Sequence, residues 1–109
     1  MKKIYSLLIL LIIPISIHAK DLTLTWYDDP NNTAVKFRMY KQLSCTGSFS
    51  SVGDIIFPTI TFTEPNITVG TNCYQVTALD STDVESLPSN TLTVTCTRGG
   101  HKVITCTGM

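Results

Sequence analysis

The sequence predicts an all-β sandwich or barrel that follows a removable export segment. Three observations carry the fold prediction. After residue 20 the apolar residues recur at every second position, the period of a half-buried strand. Clusters of Pro, Gly, Asn, Asp and Ser interrupt these runs at short intervals. No stretch beyond residue 20 keeps an apolar helical period over three turns, and β-branched residues, which strands favour, are abundant.

The first nineteen residues read as an address. Met1-Lys2-Lys3 is a short positive start, and residues 4–17 are apolar, with Pro14 and Ser16 late in the run and Ala19 at its end. This is the layout of a secretory signal peptide, with cleavage expected after Ala19. The competing reading is an uncleaved membrane anchor. The apolar run is shorter than the roughly 20 residues that span a bilayer, and it carries a helix breaker.

Beyond the leader, Leu22, Leu24 and Trp26 alternate with threonines. Residues 27–33 form a turn-rich loop around Pro30. In the next run Val35, Phe37 and Met39 share one face, and Lys36, Arg38 and Tyr40 the other. Residues 44–53 are small and polar apart from Phe49 and Val52. Ile55-Ile56-Phe57, stopped by Pro58, reads as an edge strand or a loop. Ile60 and Phe62 alternate next. Tyr74, Val76 and Ala78 oppose Cys73, Gln75, Thr77 and Leu79, and Leu92 and Val94 close the series. The predicted core is Leu24, Trp26, Val35, Phe37, Ile60, Phe62, Tyr74, Val76, Leu92 and Val94. Gly99-Gly100 between two alternating runs signals a hairpin, with a further strand expected at 102–105. The predicted units are therefore a signal peptide at 1–19, one domain at 20–97 and a hairpin extension at 98–109.

Composition narrows the function. The 109 residues carry 8 basic and 8 acidic side chains, and loss of Lys2 and Lys3 leaves an excess of two acids. A weakly acidic domain without a basic stripe is a poor nucleic-acid binder. Without the leader, His101 is the sole histidine, and it lies beside a Gly-Gly turn, a weakly supported place for a general base. Cys96, His101 and Cys106 could offer three zinc ligands, but they lack close Cys-x-x-Cys pairs. Asp28-Asp29 and the set Asp80, Asp83 and Glu85 lack the twelve-residue calcium-loop pattern and read as turn formers. No catalytic residue, metal or other cofactor is expected.

The ordered segments Leu24-Thr25-Trp26, Phe37-Arg38-Met39-Tyr40, Asn72 to Asp80 and Glu85-Ser86-Leu87-Pro88-Ser89-Asn90 together resemble a fibronectin type III domain, most of all its short exported bacterial forms. The resemblance covers about residues 22–95. It implies an immunoglobulin-like sandwich of about seven antiparallel strands, with Trp26 packed between the sheets. It also implies that Tyr74 is a tyrosine corner whose hydroxyl bonds back to nearby backbone. Two departures stand out: almost no chain precedes Leu22 to make the first strand, and an extra segment follows the last.

The strand order implied by the resemblance places Cys45, Cys73 and Cys96 at one end of one sheet. It favours Cys45–Cys73 with Cys96–Cys106 over the alternative Cys73–Cys96 with Cys45–Cys106; the sequence alone permits three connectivities. Two functional readings compete, with a small secreted enzyme as a remote third. One is a secreted or periplasmic binding or adhesion module for a protein or glycan. Its loops would present Tyr27, Asp28, Asp29, Asn31, Asp80, Asp83 and Glu85, with residues 50–54 as a further candidate. The other is a structural subunit of an envelope or surface assembly, joined or self-associated through the sheet edge that a missing first strand leaves open.

Overall fold

A computed structural model describes residues 11–12, 21–27, 34–99 and 104–108. Among them eight strands form two sheets: β1 (Leu11–Ile12), β2 (Leu22–Trp26), β3 (Lys36–Leu43), β4 (Ser50–Ile56), β5 (Thr61–Glu64), β6 (Gly70–Leu79), β7 (Leu92–Arg98) and β8 (Ile104–Gly108). The smaller sheet runs β1-β2-β5 and the larger β4-β3-β6-β7-β8, with every pairing antiparallel. The predicted all-β sandwich is the observed architecture.

Alternation decides what is buried. Leu22, Leu24 and Trp26 of β2 meet Phe37 and Met39 of β3, Tyr74, Val76 and Ala78 of β6, and Leu92 and Val94 of β7. Trp26 packs edge-on against Phe37, with ring centroids 5.4 Å apart. Ile60 and Phe62 are only partly buried and pack at the margin of this core. Val35, expected inside, is 42% exposed. The strand begins one residue later, at Lys36, and a bend at Val35 breaks the alternation, so Ala34 is buried in its stead.

Both disulfides adopt the favoured pairing, Cys45–Cys73 and Cys96–Cys106. Cys45–Cys73 ties the turn after β3 to β6. Cys96 and Cys106 lie directly opposite one another on β7 and β8, both buried. β8, at Ile104–Gly108, covers the free edge of β7; it overlaps the expected strand at 104–105 and runs on to Gly108, while residues 102–103 lie outside the described residues. Two cross-links suit a small domain in an oxidising compartment.

Three further features differ from expectation. The place of the first strand is not vacant, because Leu11 and Ile12, within the apolar N-terminal run, pair with Trp26 and Thr25. Residues 50–54, the further loop candidate, belong instead to the edge strand β4, whose backbone pairs with β3 around an irregularity at Met39/Tyr40. The polar segment 85–89 lies against β6. Ser86 and Ser89 are buried, and their hydroxyls accept the N–H groups of Ala78 (2.9 Å) and Val76 (3.0 Å). Their own N–H groups donate to Ala78 O (2.8 Å) and Val76 O (2.9 Å). This segment therefore stands in for a strand where β7 does not reach, and buried backbone donors keep their partners.

Candidate binding groove

Tyr27, 57% exposed, follows the end of β2, while Asp28, Asp29 and Asn31 lie outside the described residues. Asp80 is a turn former. Its Oδ1 accepts from Thr82 N (2.8 Å), Thr82 Oγ1 (2.8 Å) and Val84 N (3.0 Å). The Val84 N–H, followed by the Thr82 hydroxyl, holds its carboxyl below the usual range. Asp83 turns through a positive φ of 64° and stands 3.6 Å from Lys36 Nζ. Its partner is thus the neighbouring strand.

Glu85 behaves differently. It forms a bridge with Leu79, and its Oε2 accepts from the Tyr40 hydroxyl and from Thr77 Oγ1 at 2.6 Å. Burial first, then the Glu85 carboxylate, raises the Tyr40 phenol, while Arg38 opposes the shift. Around this triad a groove of about 370 Å³ opens on the outer face of the larger sheet, lined by Tyr40, Phe49, Gln75, Thr77, Glu85, Ser86 and Pro88. Gln75 Nε2 donates to Thr91 Oγ1 at 2.7 Å, which leaves its carbonyl oxygen as an acceptor. The groove therefore combines apolar walls with carboxylate and amide oxygens. Beside it Arg38 grips Asp54 through both carboxylate oxygens, at 2.8 and 3.2 Å, so that charge is already paired. Arg38 holds the Asp54 carboxyl below its ordinary range.

Sequence reasoning found Glu85 but missed Tyr40, Phe49, Gln75, Thr77 and Pro88 as its companions. Their outward orientation was readable for Tyr40, Gln75 and Thr77, since each alternates with a core residue. Their convergence was not, because Tyr40 and Glu85 are 45 positions apart.

A second polar cluster closes the sandwich from within. Lys41 follows the core parity of Phe37 and Met39, and its Nζ donates to Glu64 Oε2 on the opposite sheet at 2.6 Å. The Tyr74 hydroxyl donates to Glu64 Oε1. This corrects the tyrosine-corner expectation: the acceptor is a side-chain carboxylate at the end of β5, not backbone. Burial first, then Glu64, raises the Tyr74 phenol well above its ordinary value. Glu64→Ala removes the acceptor of a buried hydroxyl and the partner of a half-buried ammonium. It is expected to cost about 2–3 kcal/mol, whereas Tyr74→Phe, which leaves the ion pair intact, costs about 1 kcal/mol. Urea midpoints of the two variants test the ordering. No group of three or more His, Cys, Asp and Glu among the described residues could hold a metal.

In sequence, no protein-family profile and no curated protein matches the chain. In structure, it is similar to an Fn3-like protein from Clostridium thermocellum, with a TM-score of 0.58 at 19% identity over 81% of this chain and 84% of that one. It is also similar to part of the twitchin kinase region from C. elegans, with a TM-score of 0.68 at 15% identity over 94% of this chain and 19% of that one. A structure described as a myokine gives a TM-score of 0.64 at 9% identity over 84% and 95% of the two chains. The chain thus has the fibronectin type III-like fold. At these identities the likeness carries the fold alone.

Proposed function

We propose that the chain is exported, loses residues 1–19 and acts as a non-catalytic binding module that takes a glycan in the groove between Phe49 and Glu85. The observation that carries this reading is the Tyr40–Glu85–Thr77 cluster beside the apolar walls of Phe49 and Pro88. A sugar ring offers an apolar face to an aromatic side chain and hydroxyl donors to fixed oxygens. Glu85 Oε1 and the Gln75 carbonyl are such oxygens, held on a rigid sheet. The exported setting is supported by the leader pattern and by the paired cysteines.

Saturation-transfer NMR against a panel of neutral oligosaccharides tests the reading. At least one sugar is expected to show contacts, with Phe49→Ala and Glu85→Gln each weakening it by about tenfold, the loss of one stacking or charge-assisted contact. A panel without a binder, or a binder indifferent to both changes, overturns the assignment.

A further inference from the structure

β2 pairs with β5 along four residues, from Leu22↔Glu64 to Thr25↔Thr61, but with β1 along only two, Leu11↔Trp26 and Ile12↔Thr25. Trp26 N–H donates to Ile60 O at 3.2 Å, on the β5 side. Backbone groups alternate sides along a strand, so those of Leu24 also face β5, and those of Thr23 and Thr25 face the other edge. That edge is met at Thr25 by a segment that the sequence assigns to the removable leader. Loss of residues 1–19 takes the segment away. The core residues named among the described side chains all lie at or after Leu22.

The edge so exposed is undefended. From Leu22 to Trp26 it carries no charge, proline or bulge. By contrast, the free edge of β4 carries Asp54, ion-paired with Arg38 and Lys36, and an irregular register, while β7 is covered by β8. Natural sheets use such charges, bulges and covers to block unwanted strand pairing. The β2 edge lacks them, and the segment beside it in the structure is extended and apolar in sequence.

We propose that, once residues 1–19 are removed, the β2 edge accepts one extended apolar strand from a partner polypeptide, laid antiparallel in the register that β1 takes. The slot sets the chemistry of that strand. The residue opposite Trp26 shares the face of the indole, which is the core face, so it must be apolar. The residue opposite Thr25 must keep its N–H, so proline is excluded there. This proposal rests on loss of the leader and not on the groove. Its test uses a chain begun at Lys20 and reads a different surface.

The experiment is NMR hydrogen exchange at the Thr25 amide, in the full chain and in the chain begun at Lys20. The probe is a lysine-flanked peptide of residues 7–13, and the control is the same peptide carrying Ile12→Pro. The Thr25 amide is expected to exchange about tenfold faster in the shortened chain. The peptide should restore its protection saturably, and the proline control should not. The proposal falls if Thr25 is equally protected, or equally open, in both chains. It falls if the peptide and its proline control act alike, since that is unspecific apolar adsorption. Protection that rises with protein concentration in the absence of peptide overturns it in favour of a second copy as the occupant.

Discussion

Trp26→Ala is expected to cost about 3–5 kcal/mol, the range for emptying a buried aromatic site. Trp26 is 1% exposed, sits at the end of β2 and meets Phe37 edge-on at 5.4 Å. Its indole N–H has no acceptor among the described residues, so the substitution removes packing and no hydrogen bond. A domain of this size holds only about 5–10 kcal/mol of stability in total, so the variant should unfold at a much lower urea concentration than the parent. Trp26 is the sole tryptophan, and its fluorescence disappears with the substitution. Near-ultraviolet circular dichroism of the tyrosines and a urea titration are therefore the suitable readouts. Trp26→Phe, which keeps an aromatic ring in the site, should recover most of the loss. An unchanged midpoint for Trp26→Ala would refute the placement of this residue at the centre of the core.

The second large effect is expected from the Cys45–Cys73 cross-link. The cysteines are 28 residues apart, against 10 for Cys96–Cys106. Restriction of the unfolded chain then contributes about 3.6 kcal/mol for the first bridge and about 2.7 kcal/mol for the second in the chain-entropy description. The Cys45→Ala/Cys73→Ala pair should lower the melting temperature by 10 °C or more, given a shift of about 4–8 °C per kcal/mol for a small domain. Reduction of both bridges should unfold the domain near body temperature. Thermal scans with and without reductant check both statements. A melt insensitive to reductant would mean that the sheets hold without their cross-links.

The sequence by itself determined which residues face inward. Period-two alternation names a strand's buried face without any knowledge of its neighbours, so Leu24, Trp26, Phe37, Tyr74, Val76, Leu92 and Val94 were legible as core. It also marked the turns, because proline, glycine and aspartate limit backbone geometry locally, as Asp80 does with its three local hydrogen bonds. The disulfide pairing was legible through the strand order that the resemblance supplied, for Cys45–Cys73, and through the Gly99-Gly100 hairpin signal, for Cys96–Cys106. Val35 failed because alternation presumes an unbroken strand, and a bend precedes Lys36.

Only the tertiary structure decided which polar groups meet. Glu85 finds Tyr40 and Thr77 because the segment after β6 folds back over the larger sheet. Lys41 and Tyr74 converge on Glu64 because the two sheets close there. Leu11 and Ile12 pair with β2 although the sequence pattern around them reads as an export segment. The physical reason is the same in each case. Hydrophobic burial is a property of one strand and its own pattern, whereas a hydrogen bond or an edge pairing depends on which distant strand the topology brings alongside.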